Sequence, residues 1–184
     1  MSFDSQPSLS GTHVNLRPLR PEDHRDLYAV AADPLIWAEH PVENRHEEAG
    51  FREFFAESLA SGGALLVTDA ETQRVIGSSR FFGYREKERE VEIGWTFLAR
   101  SHWGGRYNGD LKQLMLRHAF RFVDSVVFFV SPENIRSRRA VEKIGGVREP
   151  ESDTVDRLVY RITASAFKRT CASSSASGPA APGR

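Results

Sequence analysis

Residues 126–130 read Val-Val-Phe-Phe-Val, five apolar side chains without a polar interruption. A strand with one wet face alternates, whereas an unbroken apolar strand is covered on both faces. The segment therefore needs a layer on either side. Its upstream neighbour supplies one. Asn108 to Val123 carries Leu111, Leu114, Met115, Ala119 and Phe122 on one helical face, and Leu116 and Phe120 widen it. Before that helix stand a loop, Ala99–Tyr107, and a strand, Val91–Leu98. Strand, loop, helix and buried strand make one crossover unit, whose parallel strands open a crevice at their carboxyl ends.

The remaining chain surrounds this unit. Thr12–Leu19 alternates as a strand, and Pro21-Glu22-Asp23 opens a helix through about Ala31, with proline and acids suited to a helix start. Arg45–Leu59 places Phe51, Phe54, Phe55 and Leu59 at helical spacing, ending at Gly62-Gly63. Ala64–Thr68 and Val75–Tyr84 flank a polar turn and read as a hairpin, which the strand Val91–Leu98 continues. Asn134–Ile144 reads as a helix stopped by Gly145-Gly146, and Thr154–Thr163 as a last strand. The order predicts an α/β fold: a mixed, mostly antiparallel sheet of six to seven strands with helices on both faces. In 184 residues this is a single domain, placed at 11–170. Residues 1–10 read as a flexible N-terminus. The small, Pro- and Gly-containing stretch 171–184 reads as a disordered tail.

Charge and cysteine usage narrow the function. Lys+Arg and Asp+Glu are 25 each, so no net basic field draws nucleic acid or an anionic membrane. No apolar run approaches a membrane span, the first ten residues lack a secretion signal, and one cysteine, Cys171, forms no intrachain disulfide. A cytoplasmic protein is expected. The six histidines show no i, i+4 zinc pairing, so no metal is expected.

Two features point to a polyanionic ligand. The loop before the long helix reads Ala-Arg-Ser-His-Trp-Gly-Gly-Arg-Tyr-Asn-Gly over 99–109. Such a loop aims free backbone N–H groups at one point, where a helix start favours negative charge. It lacks the Gly-Lys-Ser/Thr of a nucleotide P-loop. The next helix start carries Arg136, Arg138 and Arg139 behind a candidate N-cap, Asn134. Cations there oppose the helix dipole unless an anion docks beside them. Each feature alone also fits a tight turn or a solvated face. Together, on consecutive strand–helix units, they suit a large cofactor such as coenzyme A.

Glu92-Ile-Gly-Trp95, Trp103-Gly-Gly-Arg-Tyr-Asn108, Asn134-Ile-Arg-Ser137 and Ala140-Val-Glu-Lys-Ile-Gly-Gly146 follow one another in the order of the GNAT superfamily N-acetyltransferases. The chain resembles most the branch containing the ribosomal-protein N-terminal acetyltransferases, over about residues 12–163, including the opening Leu16-Arg-Pro-Leu-Arg-Pro-Glu-Asp23. The resemblance implies transfer of an acetyl group from acetyl-CoA to a primary amine, either a peptide N-terminus or a small molecule. It implies that the amides around Trp103, Gly104, Gly105, Arg106, Tyr107, Asn108 and Gly109 hold the pyrophosphate. By the same likeness, Phe97 and Leu98 border the pantetheine arm, Asn134 contacts the cofactor or a water, and Ser137 protonates the leaving thiolate. Two positions depart from the family. Ser101 replaces a glutamine or arginine, and Arg106 replaces a small residue. Arg106 either crowds the pyrophosphate or pairs with it.

Direct transfer needs a base and a polarised carbonyl. Glu92, a carboxylate in an apolar strand, is the candidate base; its alternative is a salt bridge on the far face. His102 reads as a surface or stacking residue. The acceptor is expected near 33–48, where Glu39, Glu43, Glu47 and Glu48 attract a cation or form a solvated helix start. Monomer and homodimer both fit. The competing function is a domain that holds acyl-CoA without turnover.

Overall fold

The computed structural model describes residues 2–175. In chain order the elements are β1 (Leu9–Ser10), β2 (Val14–Pro18), α1 (His24–Ala31), α2 (Glu48–Ala60), β3 (Ala64–Asp69), β4 (Val75–Arg85) and β5 (Glu90–Leu98). Then come α3 (Arg106–Ala119), β6 (Ser125–Val130), α4 (Ile135–Lys143), β7 (Val147–Arg148), β8 (Leu158–Thr163) and α5 (Ala164–Ser175). The sheet order is β1-β2-β3-β4-β5-β6-β8-β7, and only β5 and β6 run parallel. The fold class is as expected. The sheet has eight strands rather than six or seven because β1 and β7 add two-residue pairings at its edges.

Two apolar layers sandwich the sheet, although on the face opposite α3 the run at 126–130 is covered differently: Val127 and Phe129 join neither layer, and Arg157 lies over Phe129. Val126, Phe128 and Val130 join Leu65, Val67, Ile93, Leu111, Met115 and Leu116 on the α3 side. Ala64, Leu66 and Phe97 join Leu27, Trp37, Phe51, Phe54 and Phe55 on the α1–α2 side. Alternation along β3 assigns its even and odd residues to different layers.

Both expected loose ends are ordered for part of their length. Phe3 packs edge-on against Phe81 and Phe122 and stacks on Tyr84, while the Asp4 carbonyl accepts from His118 Nε2 at 2.6 Å. An aromatic anchor and a buried imidazole thus hold residues that composition alone reads as loose. At the other end α5 continues through Ser175, with Phe167 buried against Phe120 at 5.2 Å. That contact seeds a helix that runs past the boundary set at Cys171. The tail residues 176–184 lie outside the described residues.

β5 begins one residue earlier than the spacing implies, at Glu90, which is 3% exposed. Its carboxylate contacts the Arg85 and Arg161 guanidiniums and accepts from Ser125 Oγ at 2.8 Å. These bonds fasten β5 to β6 at the one place where they pair. Glu90→Ala leaves Arg161 and Ser125 without this acceptor, and the unfolding free energy is expected to fall by about 3 kcal/mol. Urea denaturation measures this; an unchanged midpoint removes the cluster from the account of stability.

Two irregularities shape the centre. β5 and β6 pair only at Glu90–Ser125, Val91–Val126 and Glu92–Val127, then diverge. On the other side of β5 the register against β4 shifts between Arg80–Gly94 and Ser78–Phe97, with Trp95 at φ +50°. The extra residue in β5 is a bulge. It exchanges the faces of the strand: Ile93 belongs to the α3 layer and Phe97, four residues on, to the α1–α2 layer.

Candidate active site

The divergence of β5 and β6 opens a cleft of about 840 Å³. Phe97, Leu98, Trp103, Gly104, Gly105, Asn108, Gly109, Asn134 and Ser137 all line it. The strand, loop and helix starts singled out in the sequence therefore meet in one place.

The glycine loop is built as a helix entry. Gly104 and Gly105 have φ of +105° and +112°, backbone that L side chains rarely adopt. Gly105 caps α3, and the first N–H groups of the helix have no intrahelical acceptor. A Cβ on Gly105 would stand 3.0 Å from Lys143 Nζ, so an α4 ammonium lies over the loop. Trp103 Nε1 donates to the Leu98 carbonyl at 2.9 Å, and the Arg136 guanidinium covers its ring at 4.0 Å. Exposed amides, a helix start, Lys143 and Arg139 fit a pyrophosphate. The donor set fits the phosphates of coenzyme A.

Arg106 and Tyr107 are not among the lining residues. Arg106 occupies the first helical position and is exposed, its guanidinium 5.1 Å over the Tyr107 ring. It neither crowds the loop nor reaches into it. Tyr107 turns toward His102, at 4.6 Å, and His13, at 5.7 Å. What these two residues offer the cleft is main-chain N–H. His102 is held against Tyr107 and 3.4 Å from Asp69, and Ser101 bonds its ring at 2.9 Å, so both residues brace the loop.

On α4, Asn134 is the N-cap: its Oδ1 accepts from the Ser137 N–H at 3.0 Å. This fixes Ser137 one turn into the helix, lining the cleft. The Ser137 hydroxyl has no hydrogen-bond partner among the described residues.

Glu92 lies on the sheet face opposite α3, with Arg80, because Val91 and Ile93 face the α3 layer. It is not itself a lining residue. Its Oε1 lies 3.1 Å from where a Gly94 Cβ would be, and Gly94 lines the cleft. No ion pair to Glu92 forms within 4 Å among the described residues. Burial pushes its carboxyl up to about 7, against the pull of Arg157 and Arg80.

Lys112 is a site residue the sequence reading passed over. It is 6% exposed, lines the cleft, and donates from Nζ to Thr96 Oγ1 at 2.6 Å; Thr96 in turn bonds Ser79 at 2.7 Å. Burial pulls its amine down to about 7. Its signal was positional: 112, 115, 116 and 119 make one helical stripe, and a lysine heads it. The acidic stretch also differs from expectation. From it Ile36, Trp37, His40, Pro41 and Arg45 line the cleft, and none of its four glutamates does. Glu39 accepts from the Arg136 N–H at 2.9 Å, and Glu48 pairs with Arg52.

Residues 13–147 match the acetyltransferase (GNAT) domain family. The chain belongs to the GNAT acetyltransferase family. It is an acetyl-CoA-dependent acyltransferase. No curated protein matches the sequence. Solved structures share the GNAT fold. A GCN5-related N-acetyltransferase from Brucella melitensis superposes with a TM-score of 0.81 at 17% identity, covering 93% of this chain and 85% of that one. An acetyltransferase from Agrobacterium tumefaciens gives 0.68 at 26% identity over 88% and 97%. Mycobacterium smegmatis RimJ in complex with CoA-disulfide gives 0.71 at 19% identity over 91% and 95%. Among the described residues of this GNAT domain, no helix is long and apolar enough to cross a membrane.

Proposed function

We propose that the enzyme moves the acetyl group to a primary amine, of a small molecule or of a peptide N-terminus as in the branch it resembles, by direct transfer. One observation carries this reading: Glu92, with its carboxyl near neutrality, abuts the cleft that Ser137 and the glycine loop line. Bound acetyl-CoA supplies an acetyl group activated as a thioester. The amides around 103–109 and Asn134 hold the cofactor, with Phe97 and Leu98 along its arm. Glu92, directly or through one water, takes the proton of the incoming amine. Unpaired backbone N–H groups of β5 beyond Glu92 polarise the carbonyl oxygen. The free Ser137 hydroxyl gives its proton to the departing sulfur, and the proton taken by Glu92 returns through water to Ser137, so that one proton moves in all from amine to thiol.

Calorimetric titration with acetyl-CoA, followed by release of free CoA thiol with amines and N-terminal peptides, tests the reading. Micromolar binding and amine-dependent thiol release are expected. Absence of binding at millimolar acetyl-CoA overturns it. Ser137→Ala is expected to lower kcat by about tenfold with an unchanged acetyl-CoA affinity. An unchanged kcat takes Ser137 out of the mechanism.

A further inference from the structure

Six cationic side chains line the cleft, Arg45, Lys112, Arg136, Arg139, Lys143 and Arg157, against a single carboxylate, Asp156, among the described residues. Lys143 lies over the glycine loop, with Arg139 on the same helix, α4, and Lys112 sits on Thr96. Arg136, also on α4, reaches across the cleft and donates to the Ile36 carbonyl at 2.9 Å. Arg45 and Arg157 belong to the other face of the sheet. The Arg45 guanidinium lies 4.7 Å over Phe54 and 5.6 Å over Trp37, both in the α1–α2 layer. Arg157 lies 4.9 Å over Phe129, whose neighbours Phe128 and Val130 face α3. A third guanidinium backs them. Arg80 is 4% exposed, covers Trp95 at 4.5 Å, and donates to Ser58 Oγ at 2.5 Å; its Nε has no partner.

Among the described residues, none of these three arginines has a carboxylate within 4 Å. Five arginines elsewhere differ. Arg17, Arg89, Arg100, Arg148 and Arg161 each bond an acid at 2.5–2.8 Å. Arg80 is buried, Arg45 half-buried and Arg157 exposed; for the first two, a charge buried without an acid is costly, and a bound anion offsets that cost. Burial pulls Arg45 down to about 10, and Glu57 acts on Arg45 and Arg80 only from a distance. Guanidiniums stacked on rings are fixed forks that suit carboxylate and phosphate. Arg80 and Arg157 also act on the Glu92 carboxyl from either side. An amine delivered to Glu92 therefore brings the rest of its molecule beside these cations.

We propose that the acceptor is a primary amine that also carries an oxyanion, a carboxylate or a phosphate, held by Arg45 and Arg157 against the aromatic wall of Trp37, Trp95 and Phe129. The proposal rests on the acyl-transfer reading above. Of the two readings of the acidic stretch, attraction of a cation loses support, since Glu39, Glu43, Glu47 and Glu48 are absent from the lining.

The test is thiol release by the full chain with matched amines. Phenylalanine is set against phenethylamine, phosphoethanolamine against ethanolamine, and spermidine stands as the polycation. The acidic member of at least one pair is expected to show a kcat/KM at least about tenfold higher, and the pair that responds names the anion. Arg157→Ala, at an exposed position, is expected to raise KM for that acceptor about tenfold while the acetyl-CoA affinity stays within about twofold. Preference for the neutral amines or for spermidine overturns the proposal, as does an enzyme that binds acetyl-CoA but acetylates no member of the series. Loss of acetyl-CoA affinity in Arg157→Ala also overturns it, because the charge then serves the cofactor. Failure of the wild-type chain to bind acetyl-CoA is a separate result and overturns the acyl-transfer reading itself.

Discussion

Glu92→Gln is expected to lower kcat by about 10²- to 10³-fold and to leave acetyl-CoA affinity within about twofold. The amide keeps the volume and loses the base. The pH profile separates this role from a structural one. The Glu92 carboxyl titrates at about 7, so kcat/KM of the wild type rises as pH increases through that value. Glu92→Gln lacks this limb and keeps only the rise due to the amine. Stability moves the opposite way. A carboxyl raised from 4.5 to about 7 favours the protonated folded state, so its contribution is fully present below pH 4.5 and is lost as pH rises to about 7. At pH 8 the variant is expected to be more stable than wild type, by about 2–3 kcal/mol. A variant that is dead but more stable marks Glu92 as a group kept for chemistry. A variant of ordinary activity with the same pH limb removes it from the mechanism.

Gly105→Val carries the second large effect. Valine at φ +112° is strained, and its Cβ would stand 3.0 Å from Lys143 Nζ. Acetyl-CoA affinity is expected to fall by about 100-fold through the displaced amides and ammonium together. Gly104→Val separates the two causes. At φ +105° it bears the same backbone strain, but nothing lies within 4 Å of its Cβ. An equal loss in both variants assigns the effect to backbone geometry. A loss confined to Gly105→Val assigns it to Lys143. Full affinity in both shows that this loop is not the phosphate cradle.

The parts of the fold legible in the sequence are those whose signal is local. The unbroken apolar run at 126–130, the polar turn between β3 and β4 and the glycines at 104–105 each carry their own explanation. The two-residue strands do not, because their pairing is set by partners far along the chain: Leu9 against Leu16, Val147 against Arg161. The packing of Phe3 follows the same rule, since its neighbours are residues 81, 84, 118 and 122. The half of the cleft proposed for the cofactor is legible because one continuous stretch, 97–109, builds much of it. The half proposed for the acceptor is not. Arg45 and Arg157, and Arg80 behind them, are scattered, and an arginine in sequence looks solvated until a ring and a sheet are placed beneath it. Lys112 misled in a simpler way: a charge inside an apolar stripe was read past, although its spacing put it on the buried face.

The three-residue pairing of β5 with β6 has a consequence for how the chain behaves without its cofactor. Beyond Glu92 and Val127 each strand keeps a ladder on its outer side and none on the side facing the other. The sheet thus has an edge in its interior. Edges elsewhere are blunted by being short, as β1 and β7 are, but this one lies in the middle of the sheet and faces the cleft. An extended ligand with its own amides would complete it as a surrogate strand, so a cosubstrate bound there would repair the backbone that receives it.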